Sequence, residues 1–273
     1  MKDFSTSPKE MVASLWRNRG LALALTKREV VGRYRGSMVG LAWSLFNPIL
    51  MLLIYTFVFS VVFKARWGIG GDESKGTFAI VLFVGLIVHG LFAECVNRAP
   101  SLILSNVNYV KKVIFPLEIL PWVVLGSALF HSAVSLAVLL VAQLILTHQL
   151  MWTALLFPLV LLPLVFATMG FGWFLSGLGV YVRDIGQITG MFTMILLFLS
   201  PVFYSISALP EKYQGWIRLN PLAFIIEASR NTLIFGKMPD IGEWATMLVA
   251  GMLVCWGGFV WFQKARKGFA DVL

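Results

Sequence analysis

The chain has 273 residues, is 59% hydrophobic and only 13% charged, and has a mean hydropathy of +0.84; this excludes a soluble globular protein and a disordered one. At about 20 residues per crossing, the length holds roughly six membrane-spanning helices and leaves little for a separate soluble domain. The net charge of +9 would suggest nucleic acid as a partner of a soluble protein; in a membrane protein the positive-inside bias explains it, and no nucleic-acid partner is expected.

The first ten residues, "MKDFSTSPKE", lack the apolar core of a secretory signal, so the N-terminus is expected to stay in the cytosol. Ser7-Pro8-Lys9-Glu10 is a capping box with proline at the first helical position, which predicts a helix from there to about Arg19, interrupted by Gly20. From Leu21 to Arg35, the apolar residues Leu23, Val30, Val31 and Tyr34 fall near one helical face, with Lys27, Arg28, Arg33 and Arg35 mostly elsewhere. That pattern suits an amphipathic helix lying in the headgroup region.

Six apolar segments follow, at about 38–63, 78–97, 116–147, 153–180, 187–204 and 241–262. The first contains Pro48, which kinks it unless neighbours satisfy the freed backbone group. Residues 205–240 are too polar to span, yet hold the amphipathic "PLAFIIEASRNTLIF" between Pro210 and Pro239, which predicts one or two short re-entrant helices dipping into the outer leaflet. The fold class is therefore an all-α integral membrane protein with six transmembrane helices, preceded by a cytosolic amphipathic interface region at 1–37. The transmembrane domain is 38–263 and a cytosolic tail is 264–273. Lys and Arg number 15 in the segments this topology places inside and seven in those outside, so both ends are expected in the cytosol.

Cys95 and Cys255 both lie in apolar stretches without a CxxC partner, and read as packing residues rather than metal ligands or a disulfide. No GxxxxGK[ST] occurs, so the chain is not its own nucleotide motor. His89, Glu94 and Arg98 in the second segment bring to mind a membrane hydrolase. Glu94 and Arg98 are four apart and can pair, whereas His89 and Glu94 are five apart and project in different directions. His131 and Gln143 are isolated, which suits inter-helix hydrogen bonds. The span centres carry almost no charge and no repeat is evident, which argues against ion-coupled transport.

The fourth segment holds "MGFGWFLSGLG", a small-residue surface for close helix packing, either within one subunit or across a dimer. Aromatic residues make up 14% of the chain. Trp43, Phe46, Tyr55, Phe57 and Phe59 in the first segment, with Phe198, Phe203 and Tyr204 in the fifth, fit either an interfacial belt or the lining of a path for sugar rings.

"KREVVGRYRGSMVGLAWSLFNP" (Lys27 to Pro48) matches K-R-[ED]-x-x-x-R-Y-x-x-S-x-x-G-x-x-W-x-x-x-x-P through Lys27, Arg28, Glu29, Arg33, Tyr34, Ser37, Gly40, Trp43 and Pro48. With "YVKKVIFP", "YVRDIG", "SPVFYSISALP" and "LNPLAFIIEASRNTLI" in order along the chain, it resembles the membrane subunit of type-2 ABC exporters of bacterial surface polysaccharide, nearest the O-antigen or capsule branch.

The resemblance implies a permease subunit in the inner membrane, not itself an enzyme, that pairs with a second copy and docks two copies of a cytosolic ATPase. ATP and magnesium would bind the partner, and this chain would hold no cofactor, catalytic residue or metal. By match to the family's motifs, Glu29, Arg33, Asn106, Tyr109, Lys111, Lys112, Arg183 and Asp184 are candidates for ATPase coupling. Arg28, Arg33 and Arg35 are candidates for the diphosphate of a lipid-linked polysaccharide, although attraction to anionic membrane lipids and topology control account for the same cations. Trp43, Phe46, Tyr55, Phe59, Phe198 and Tyr204 are the candidates for a glycan lining. The alternatives are a type-2 ABC permease for teichoic acid, lipid or drug, and a polyprenyl-phosphate membrane enzyme.

Overall fold

A computed structural model describes residues 4–62, 75–111 and 115–273. Helix α1 (Pro8–Arg17) starts as its capping box requires: the Glu10 N–H donates to Ser7 Oγ at 3.1 Å, with Pro8 at the first helical position. The break falls at Asn18 rather than Gly20, because the Asn18 side chain turns back onto the Ser14 carbonyl; Gly20 lies within α2 (Arg19–Arg33).

Two glycines in the left-handed region, Gly36 (φ 87°) and Gly40 (φ 57°), turn the chain from α2 towards α3 (Trp43–Tyr55). Ser37 closes this turn by donating to the Tyr34 carbonyl and accepting from the Gly40 N–H at 2.9 Å. The first apolar helix thus begins at Gly40, two residues later than expected, and continues past Tyr55 as a π-helical stretch over Thr56–Val62. Phe63, its expected last residue, lies outside the described residues.

The remaining helices are α4 (Lys75–Leu102), α5 (Val107–Val110), α6 (Leu120–Thr147), α7 (Phe157–Tyr181), α8 (Ile185–Leu199), α9 (Glu211–Arg218), α10 (Pro221–Leu233), α11 (Ile241–Ala265) and α12 (Phe269–Val272). Among the described residues, five apolar stretches are long enough to cross a membrane: Gly40–Phe59, Thr77–Leu102, Leu117–Thr147, Trp152–Tyr181 and Ile241–Val272. α8, with 15 residues, is about 22 Å long and shorter than a hydrocarbon core of about 30 Å.

α4 is the central helix: 78% of its most apolar window is buried, against 11% for the stretch containing α3. α7 and α11 run parallel in close contact. A Cβ on Gly258 would lie 2.1 Å from the Gly170 carbonyl oxygen, and one on Gly179 would lie 2.1 Å from that of Pro100 on α4. The small-residue surface therefore packs within the chain, and bare backbone is what lets these axes approach. Because α7 and α11 are parallel, residues 182–240 return along the bundle between them. They do so through α8, which runs antiparallel to α4, with His89 Nε2 donating to the Thr193 carbonyl at 2.9 Å.

One expectation is corrected. The buried face of α2 is Ala22, Leu25 and Val30, the first two packed on Ile119 and Val123; Leu23 and Val31 are exposed. The contacts of α2 extend up α6 through Thr26 against Gly126 to Tyr34 beside His131, so α2 runs along α6 and its buried face is set by that neighbour. The short helices expected between the fifth and sixth segments are α9 and α10, and α10 is the buried one. Nine of its 13 residues are buried, in contact with α4 and α7, while α9 has no buried residue.

The base of the bundle is tied by Glu118, which accepts from Ser14 Oγ at 2.8 Å and from Arg266 Nη1 at 2.6 Å. The Trp173 indole N–H donates to the Glu118 carbonyl at 3.0 Å. One residue, through its carboxylate and its backbone carbonyl, thus links α1, the entry to α6, α7 and the end of α11. At the opposite end, the Gln143 amide donates to the Leu233 carbonyl at 3.0 Å, the inter-helix bond its isolation predicts.

Candidate functional site

Residues of α2 and the C-terminal third of α4 form an alternating chain of charges. Glu29 pairs with Arg98, Arg98 reaches Glu94 at 3.5 Å, and Glu94 pairs with Arg33. The arrangement follows from two i,i+4 spacings, 29 to 33 and 94 to 98, on antiparallel helices, so that each carboxylate meets a guanidinium. All four side chains are between one fifth and two fifths exposed. Arg33 is on the rim, and its remaining N–H donors stay available to a ligand.

The other predicted coupling residues are distributed around this chain of charges. Arg28 Nη2 donates to the Tyr109 hydroxyl at 2.9 Å, and Tyr109 stacks on Phe115 with ring centroids 4.1 Å apart, so α2 is fastened to the loop after α4. The Asn106 amide is used within its own turn, donating to the Leu102 carbonyl at 2.9 Å. Lys111 is exposed, and Lys112 lies outside the described residues. Arg183 and Asp184 are exposed in the turn between α7 and α8. That turn is at the same end of the bundle, because neighbouring Tyr181 donates to the Ala265 carbonyl at 2.7 Å. Arg35 is exposed, and its side chain makes no hydrogen bond or ion pair to another described residue.

Above the charges, a crevice of about 300 Å³ opens between α3, α4 and α6. Its polar end is Arg33, Tyr34, Glu94 and His131; its far end is Tyr55, Phe83 and Ile87. Tyr34 Oη is 3.5 Å from His131 Nε2, while His131 Nδ1 is buried without a partner among the described residues. The crevice is thus amphipathic, suited to a molecule with a polar head and an apolar body.

At its apolar end the two predicted aromatic groups meet. Tyr55 lies 6.3 Å from Phe59, Phe59 lies 6.2 Å from Phe203, and Phe203 lies 5.7 Å from Phe198. Tyr204 donates to the Phe198 carbonyl at 3.1 Å. Residues some 140 positions apart in sequence therefore form one aromatic run from α3 to α8. Trp43 and Phe46 form a separate edge-to-face pair at the other end of α3, 5.2 Å apart.

His89 is engaged with Thr193, so the second segment brings together no His–Glu pair. Sequence reasoning passed over Glu118, Arg266 and Arg230. Glu118 and Arg230 each place a charge inside an apolar run, a signal of a paired buried ion. Arg230 is fully buried and donates to the carbonyls of Val81 at 3.1 Å and Val202 at 2.9 Å and to Glu227 at 3.0 Å.

Comparison with known proteins bears on the whole chain. The sequence model described as "ABC-2 type transporter" matches residues 21–234. An O-antigen export system permease protein of Myxococcus xanthus is 27% identical over 263 residues, covering 96% of this chain and 98% of the relative. One from Klebsiella pneumoniae is 26% identical, covering 93% and 95%. The polysialic acid transport protein of Escherichia coli is 22% identical, covering 80% and 82%.

Proposed function

The chain belongs to the ABC-2 type transporter family of membrane proteins, and from that membership we propose that it is the channel-forming permease subunit of an ATP-driven polysaccharide exporter. The cargo is an O-antigen or capsule glycan on undecaprenyl diphosphate, moved outward across the bacterial inner membrane. The observation that carries this reading is the end-to-end similarity to O-antigen export permeases. The aromatic run supports it, since sugar rings stack their C–H faces on aromatic faces and a neutral polymer needs a charge-poor path.

The chain has no phosphate-binding loop, so a separate ATPase supplies the energy and a second copy of the chain completes the channel. The exposed apolar faces of α3 and α8 suit that second copy. Six crossings with both ends in the cytosol are supported by the parallel course of α7 and α11 and by the distribution of Lys and Arg. The end carrying α1, α2 and α5 then meets the ATPase: Lys111, Arg183 and Asp184 face it, and the Arg28–Tyr109 bond and the Glu29–Arg98 pair pass its movement to α4. Arg35 and the free donors of Arg33 meet the lipid diphosphate at headgroup depth.

The test is export in cells. Deleting the chain should abolish surface polysaccharide while the lipid-linked polymer accumulates inside, and restoration should require both this chain and an active ATPase. Unchanged surface polysaccharide, with loss of export of a teichoic acid, lipid or drug instead, would assign another cargo. Phosphatase or transferase turnover by the purified chain would overturn the transport reading.

A further inference from the structure

A second recess lies at the end of the bundle away from α1 and α2, between α10 and the first turns of α11. It encloses about 680 Å³, and its wall includes Ser205, Ser207, Arg218, Phe224, Glu227 and Glu243. None of these residues belongs to the crevice or to the aromatic run.

The lining restricts the class of ligand. Glu227 is already paired with the buried Arg230, which leaves one free carboxylate and one free guanidinium, so neither a phosphate nor an organic cation meets a net attraction. A divalent cation would need more hard ligands, and no group of three or more His, Cys, Asp or Glu is placed to hold a metal among the described residues. A purely apolar molecule would leave the charged groups dehydrated and unmatched. What remains is a neutral molecule rich in hydroxyls. Carboxylates accept from hydroxyl pairs, the guanidinium donates to ring and hydroxyl oxygens, serine does both, and Phe224 offers an apolar face to C–H groups.

The recess is also organised in advance. Glu227 is held at 3.0 Å by Arg230, which is wholly buried behind the wall and fixed by the Val81 and Val202 carbonyls. The Arg218 and Glu243 side chains make no hydrogen bond or ion pair to another described residue, and both are exposed. One acceptor is therefore locked in place while a donor and a second acceptor stand free, an arrangement that lowers the ordering cost of binding.

We propose that this recess is a saccharide-binding subsite, which takes a sugar residue of the polymer as it leaves the chain. The proposal rests on the reading of the protein as a polysaccharide exporter. Glu243 and Arg218 make the specificity-bearing hydrogen bonds, Phe224 supplies the stacking face, and Glu227 is the fixed acceptor.

The test uses the full chain in lipid nanodiscs with its ATPase. The probe is lipid-free polysaccharide released by mild acid from cells that carry this chain, and binding is read by saturation-transfer NMR. The wild type should bind. The double variant Glu243→Gln/Arg218→Gln should bind about tenfold more weakly or less, as expected for the loss of charge-assisted bonds. Ser207→Trp, at an exposed position whose bulk fills the recess, should weaken binding similarly and guards against misfolding of the charge variant. Absence of wild-type binding, equal binding by wild type and both variants, or displacement of the glycan by inorganic phosphate would overturn the subsite. Export by the wild type in deletion cells separates the two levels. Restored export alongside any of those results sinks the subsite alone, whereas failure to restore export sinks the exporter reading and the subsite with it.

Discussion

Arg230 shows what a single buried charge can organise. It joins α10 to the first turns of α4 and to the bend after α8, two elements more than a hundred positions apart in sequence. Burial pushes its guanidinium down to about 10, with Glu227 opposing the shift. Below that value it is charged in both the folded and the unfolded chain, so its contribution should be flat between about pH 6 and 8.5 and should rise only in strong base. Arg230→Met strands two carbonyls and Glu227, and should lower stability by about 3–5 kcal/mol, read as thermal unfolding in detergent. Arg230→Lys should recover only part of that, because an ammonium cannot reproduce the fork. The Glu29–Arg98 pair is more exposed and weaker. Glu29→Gln and Arg98→Gln singly should each reduce export, and the double variant should lose less than the sum of the two, with a coupling energy of about 0.5–1 kcal/mol in a double-mutant cycle. An additive double variant would separate the pair from any coupling role.

Between elements, backbone contact is the dominant device. Gly258 sits against the Gly170 carbonyl, whereas its neighbour Gly257 has nothing within 4 Å of a built Cβ. Gly258→Ala should therefore separate α7 from α11 and cost about 1–3 kcal/mol as an overpacked contact. Gly257→Ala should be neutral or stabilising by about 0.5–1 kcal/mol, from helix propensity alone. Equal effects of the two substitutions on the yield of folded protein would refute this contact. The fastening of α2 to the loop after α4 through Arg28 and Tyr109 is likewise an element-level joint. Lys111→Glu with Lys112→Glu should abolish co-purification of the ATPase while membrane level stays normal, and Tyr109→Phe should leave binding intact but slow export. Normal export in both would remove this loop from the coupling path.

For the whole molecule, the course of residues 182–240 decides the topology. If α8 and the bend after it complete a crossing, Gly186 and Gly215 lie on opposite faces of the membrane. With Cys95 and Cys255 replaced, Gly215→Cys should react with an impermeant maleimide added outside, and Gly186→Cys should not. Labelling of both from the same side would reduce the crossings to five. Much of the architecture was legible from local pattern: the capping box, the long apolar runs, the glycine surface of α7 and the pairing of Glu94 with Arg98. The buried face of α2 was not. The choice between Leu23 and Leu25 depends on whether lipid or α6 lies beside it, and periodicity registers apolar character but not the neighbour. The depth of α10 was hidden for the same reason, since an amphipathic pattern serves a helix at a lipid surface and one buried beside a polar recess alike.

By itself the sequence determined that this chain lives in a membrane, roughly where it crosses and where its first helix is capped, and that these residues contain no GxxxxGK[ST] string. These properties depend on runs of about 20 residues or on caps of four, and both are local. Only the tertiary structure decided which charge meets which, that the aromatic residues of α3 and α8 join, that a polar-headed crevice lies beside them, and that Arg230 fixes one wall of a second recess. Those contacts arise from the order and direction in which the helices pack, and that arrangement is set by steric fit between segments far apart in the chain.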